Sequence, residues 1–178
     1  AASARLILAG LILAEGDAAK TFSIIDPLLR EAPTNPDVAI IAAKAYLLKA
    51  DTEKARQIIE TSIKAHPQNP GLHAALSQIH FSKGAYKDTI IEADKALQAT
   101  PTALNVLSMA AIASVRIEQF DKALAYIEPM RRAYPDAWPT IYCETLYYAA
   151  KGEKDKTLQS ANRALKLWPD KPESLSLY

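Results

Sequence analysis

The sequence predicts an all-α chain, a solenoid of stacked antiparallel helix pairs. Three observations predict it. Pro33, Pro67, Pro101, Pro135 and Pro169 recur at an unvarying spacing of 34 residues, the period of a helix–turn–helix repeat. Two columns in phase with these prolines hold small residues. The eighth reads Ala9, Ala43, Ser77, Ala111 and Thr145; the twentieth reads Thr21, Ala55, Thr89, Ala123 and Thr157. Small side chains recurring once per helix mark places where helix axes approach closely. Third, Gly16, Gly84 and Gly152 share one column, where a turn is expected.

Phasing on the prolines gives units 2–35, 36–69, 70–103, 104–137 and 138–171. The third shows the local logic best. Its pattern predicts helices over 71–83 and 86–98, joined at Gly84 and Ala85. Asn69 is a good N-cap, and Pro70 suits the first helical position because its φ is already set and no donor is needed there. Gly84 falls where a left-handed C-cap is expected. The second helix must end before Thr100-Pro101, since proline disfavours helical geometry in the residue before it. One hairpin cannot bury its apolar face alone, so neighbouring units must cover it.

The period, the small eighth and twentieth columns and the terminal proline resemble the tetratricopeptide repeat, over residues 2–171. Three columns depart from that family's pattern. The fourth, where a large aromatic is expected, reads Arg5, Ala39, His73, Leu107 and Ile141. The eleventh is aromatic only at Tyr46 and Tyr148, and the twenty-seventh carries Leu28 and Met130 where a small residue is expected. The resemblance implies a right-handed superhelix and a role in binding proteins. The Ile25-Asp26-Pro27-Leu28-Leu29 stretch is similar to that of bacterial members, so a bacterial complex-assembly protein is the implied setting.

In chain order, the run from Leu6 to Ala14 is the most hydrophobic stretch. It reads as a repeat helix and not as a leader, because Ala9 and Gly16 keep the repeat's phase and the run is too short to span a bilayer. A helix apolar on nearly every side should be covered on every side. Further repeats before it, or a second copy of the chain, would supply the cover. Pro27 and Pro129 share a column inside the second helices of the first and fourth units, where each removes a hydrogen bond and bends its helix.

The second unit draws its core from Ala43, Tyr46, Ala55, Ile59 and Ile63, and its turn has Ala50 in place of glycine. His73 and His80 are seven residues apart, roughly 10 Å along a helix, too far to share a metal ion. They read as packed side chains. In the fifth unit Cys143 reads as a buried, inert thiol, and Trp138, Tyr147, Tyr148 and Trp168 as core aromatics. Tyr142 is turned toward the inner surface. Pro172 repeats the phase of Pro36 and Pro70, so residues 172–178 read as the start of a truncated sixth or capping helix.

Composition excludes several functions. Twenty-one basic residues against 20 acidic ones, with no long run of either sign, argue against a nucleic-acid surface and against polybasic membrane attachment. No phosphate loop, His-Glu-x-x-His, Cys-x-x-Cys or Gly-x-Ser-x-Gly motif is present. We therefore expect no catalysis, no cofactor, no metal and no direct membrane insertion.

The resemblance places the first helix of each unit on a concave face, with its second, fifth, ninth and twelfth positions in the groove. The residues so implied are Leu6; Asp37, Ile40, Lys44 and Leu47; Ala74, Gln78 and Phe81; Asn105, Ser108 and Ile112; and Tyr142 and Leu146, with Gly10, Leu13, Val115 and Ala149 in the same columns. This largely apolar stripe suits an amphipathic helix or an extended peptide, although its aliphatic members are equally suited to packing on the next repeat. The Lys, Asn and Arg clamp by which some family members hold a chaperone's terminal carboxylate is missing, Lys44 being the one cation in the ninth column. Two functions are expected: a scaffold that binds a peptide or partner protein in the groove, or a homo-oligomerisation module of a larger protein, joined through the apolar first helix.

Overall fold

The computed structural model describes residues 2–169. Among the described residues there are ten α-helices and no strand. The first helices of the five units are α1 (Ala2–Ala14), α3 (Pro36–Leu48), α5 (Pro70–Ser82), α7 (Leu104–Arg116) and α9 (Trp138–Ala150). The second helices are α2 (Ala18–Glu31), α4 (Thr52–Ala65), α6 (Tyr86–Ala99), α8 (Phe120–Ala133) and α10 (Lys154–Leu167). Among the described helices, each starts 34 residues after its counterpart. Segment 172–178 lies outside the described residues.

The chain divides into two compact units, residues 1–83 and 84–178. In the first, α1 packs on α3 and α3 on α5, while α2 packs on α3 and α4 on α5. In the second, α7 packs on α9, and α6 and α8 pack on the first helices that follow them. Within each unit, a first helix is thus gripped by the repeat before it.

Two kinds of turn set the period. Between the helices of a pair, residue 16, 50, 84, 118 or 152 takes a left-handed φ. The turn after α3 shows why. Ala50 N–H donates to Leu47 and Asp51 N–H donates back to Tyr46, which together satisfy the carbonyls left over at the helix end. Three of the five sites are glycine; Ala50 (φ 58°) and Glu118 (φ 59°) hold the same geometry with a side chain. Between pairs, the proline column occupies the second position of a four-residue turn. Asn35 N–H donates to Ala32 and Asn69 N–H to His66, each at 3.1 Å, spanning Pro33 and Pro67. Asn35 and Asn69 then cap α3 and α5 through their side-chain oxygens.

The small columns sit where helices meet. Ala9, Ala43, Ser77, Ala111 and Thr145 are all buried, as are Thr21, Ala55, Thr89 and Ala123; Thr157 is half-buried. The threonine hydroxyls in these columns bond within their own helices: Thr21 donates to the Asp17 carbonyl at 2.8 Å and Thr145 to that of Ile141 at 2.8 Å. His73 is buried with Nε2 2.9 Å from the Pro67 carbonyl oxygen, the packed role expected of it. Cys143 is buried too, and burial, with a smaller effect from Glu144, pushes its thiol up to about 12.

The helix expected to be covered on every side is not covered within its unit. Ala9 is buried against α2 and α3, whereas Ile7, Leu8 and Leu11 are 67%, 49% and 61% exposed. These are the sixth, seventh and tenth columns. Elsewhere the tenth holds Ala45, Ile79, Ala113 and Tyr147, all buried. No helix among the described residues is long and apolar enough to cross a membrane.

Candidate partner-binding face

The first helices carry the candidate residues, and the two units dispose of them differently. In the second unit, α7 and α9 pack side by side, and the Cys143 thiol reaches the Ser108 carbonyl at 3.7 Å. The ninth and twelfth columns of both helices then border one groove of about 400 Å³. Ile112 and Val115 line it from α7 and Leu146 and Ala149 from α9, together with Phe120, Arg116 and Glu118. Ile112 and Leu146 are thus brought together. Phe120 is held by an edge contact with Tyr147, their centroids 6.2 Å apart.

Other candidates in this unit do different work. Tyr142 stacks on Trp138 at 6.1 Å, and Trp138 packs edge-on against Trp168 at 5.6 Å. Asn105 lies on the first turn of α7, and the Ser108 hydroxyl donates back to its carbonyl at 3.0 Å.

In the first unit, the aliphatic candidates join the core. Ile40 and Leu47 are half-buried against the cluster centred on Ile59, Leu72 and Ile79. Ile40 lies so close to Gly71 that a Cβ added there would stand 3.0 Å from its Cδ1. Leu6, Ala74 and Phe81 are half-buried; Lys44 and Gln78 are exposed. Asp37 has a local duty, since its N–H donates to the capping side chain of Asn35 at 3.0 Å.

A second polar cluster escaped the sequence reading. Arg131 of α8 donates through Nε to Glu144 of α9, through Nη1 to Glu128 at 2.8 Å, and through Nη2 to the Tyr148 hydroxyl at 2.7 Å. Arg163 of α10 stands 3.7 Å from the other Glu144 oxygen and donates to Asp136 and the Pro135 carbonyl. Burial opposes the charge on Arg131, but the hydrogen bond to Glu144 and its adjacent charge outweigh burial and raise the guanidinium's pKa above its ordinary value. The sequence held a signal. Arg131 interrupts a column otherwise Leu29, Ile63, Leu97 and Leu165, and Glu144 interrupts one otherwise Leu8, Ala42, Leu76 and Ala110. A charge in a packing column calls for a partner.

Comparison with known proteins agrees with this geometry. Residues 13–79 match the family model described as Tetratricopeptide repeat. No curated protein matches the chain by sequence. Among solved structures, it is similar to PilW, described as a widely conserved type IV pilus biogenesis factor, with TM-score 0.88 and 18% identity over 99% of this chain and 82% of that one. It is also similar to YrrB, a TPR protein with an unusual peptide-binding site (TM-score 0.75, 17% identity, 97% and 89% coverage). A third is TTC0263, a TPR protein of Thermus thermophilus (TM-score 0.77, 18% identity, 99% and 96% coverage). At these identities the likeness is one of fold.

Proposed function

We propose that this chain, whose residues 13–79 match the tetratricopeptide repeat model and whose fold is similar to that of solved TPR proteins, is a non-catalytic scaffold that binds a peptide or partner protein on the face of its first helices. The observation that carries the reading is the α7–α9 groove, lined by Ile112, Val115, Phe120, Leu146, Ala149 and Ala150, with Arg116 and Glu118 as its charged residues. An amphipathic helix or extended segment would insert aliphatic side chains between the two helices and leave its polar side in water. Similarity of fold to YrrB, itself described as having a peptide-binding site, supports the class of ligand. Selection from a displayed peptide library, followed by fluorescence anisotropy with the selected peptide, tests the proposal. Leu146→Asp should abolish binding while circular dichroism stays helical; undiminished binding would remove the groove from consideration.

A second reading, self-association, rests on α1. Ile7, Leu8 and Leu11 present aliphatic surface, and the column of Leu11 is buried in the other repeats. Leu6, the residue the sequence singled out there, is half-buried, so the exposed patch lies one, two and five positions further on. Sedimentation velocity of the wild type and of Leu8→Glu separates this reading from the first. Self-association requires a wild-type oligomer that the substitution dissolves; a wild-type monomer at high concentration eliminates it.

A further inference from the structure

A cleft of the second unit lies between α8 and α10, above α9, away from the apolar groove. It measures about 650 Å³. It owes its existence to one column. The twenty-third position holds Ile24, Ile58, Glu92 and Tyr126 in the first four repeats and Ser160 in the fifth. One repeat earlier, Tyr126 bridges the equivalent gap to Asp94 of α6, which also takes Lys122 at 2.9 Å. Ser160 is too short to do the same. Its hydroxyl is engaged below, 3.0 Å from that of Thr145.

Arg131, Lys156, Arg163 and Lys166 line the cleft, against one lining carboxylate, Glu144, which already accepts from Arg131. Glu128, Asp136 and Glu153 partly balance the first three from the rim. Lys166 pairs with none of the described residues. Lys156, Arg163 and Lys166 follow one another at i, i+7 and i+10 on a single face of α10, a row roughly 15 Å long at 1.5 Å per residue. About five residues of extended chain cover that length, with alternate side chains on one side at roughly 6.6 Å intervals.

We propose that this cleft is a second binding site, specific for an extended acidic segment of a partner protein with Asp or Glu at alternate positions. One carboxylate enters beside Ser160, in the space that Tyr126 fills one repeat earlier. The rim carboxylates disfavour a nucleic-acid backbone, whose charge density they would repel, and favour isolated carboxylates met one cation at a time.

Fluorescence anisotropy at low salt with a labelled heptapeptide bearing aspartate at alternate positions, and with its asparagine counterpart, provides the test. The acidic peptide should bind about tenfold tighter or more than the neutral one. Lys166→Glu, which alters a side chain at the mouth of the cleft, should weaken it by a similar factor, and Ser160→Tyr should close the site. Leu146→Asp should leave this binding unchanged, which separates the result from the fate of the apolar groove. Absence of binding, equal affinity for both peptides, indifference to Lys166→Glu, or equally tight binding of an oligothymidylate would overturn the proposal.

Discussion

The carboxylate of Glu144 in α9 accepts a hydrogen bond from Arg131 Nε of α8, and both residues stand in columns that the other repeats fill with aliphatic or alanine side chains. The pair is well enclosed, with side-chain exposures of 28% for Arg131 and 8% for Glu144. Removing Glu144 leaves Arg131 with only the more exposed Glu128 and the Tyr148 hydroxyl, whereas replacing both restores the side-chain types that Leu97 and Ala110 supply in the same columns. Glu144→Ala should therefore cost about 3 kcal/mol, and the double variant with Arg131→Leu should return to within about 1 kcal/mol of wild type. Urea unfolding of the four proteins in the cycle checks this. A double variant as unstable as Glu144→Ala alone would mean that the salt bridge is not the reason the two columns are broken.

The five left-handed turns make a second comparison. Ala50 and Glu118 hold a φ that crowds Cβ against the following carbonyl, and glycine does not suffer this. Ala50→Gly and Glu118→Gly should each stabilise the protein by about 1 kcal/mol, and Gly84→Ala should destabilise it by about as much. An added Cβ at Gly84 meets nothing within 4 Å, so its cost would be conformational alone. Thermal unfolding gives the sign in each case.

Acid should loosen the second helices first where an aspartate caps them. Asp17 and Asp51 accept from the N–H groups of Lys20 and Lys54 at 2.9 and 3.1 Å, and these bonds hold both carboxylates below their ordinary value of 3.8. A lowered folded-state pKa gives stability that is present above that ordinary value and lost as pH falls through the folded one. Asparagine caps equally well without titrating. The Asp17→Asn, Asp51→Asn double variant should consequently lose less stability than wild type between about pH 5 and pH 2. Superimposable acid profiles would show that protonation of the caps has no part in the loss.

Cys143 gives a direct probe of opening. Burial first, and the Glu144 charge second, lift its thiol pKa to about 12. At pH 8 the folded protein should react with a disulfide reagent about a thousandfold more slowly than the urea-unfolded chain, because the thiolate is the reacting species. A fast native reaction would place the thiol at a solvent-accessible surface.

Phase and element type were legible in the sequence. Proline and the left-handed turn residue act locally, on the backbone of their immediate neighbours, and the described helices recur every 34 residues. The small columns were legible for a related reason: a close approach of two helices can be met only by small side chains.

The candidate face was legible only as a set of columns, because a column does not say what lies opposite. Ile40 and Ile112 are both isoleucines, at the fifth and ninth positions of their first helices, yet Ile40 closes on Gly71 while Ile112 borders an open groove. The size of the facing residue decides between the two, and that residue belongs to another helix. Arg131 and Glu144, and the gap left by Ser160, are of the same kind. Alone, the amino-acid order determined the helices, their turns and their spacing, since these depend on interactions a few residues apart. Tertiary packing decided which apolar side chains stay at the surface and which charges meet, because those outcomes depend on volumes and distances between helices that the order of residues does not state.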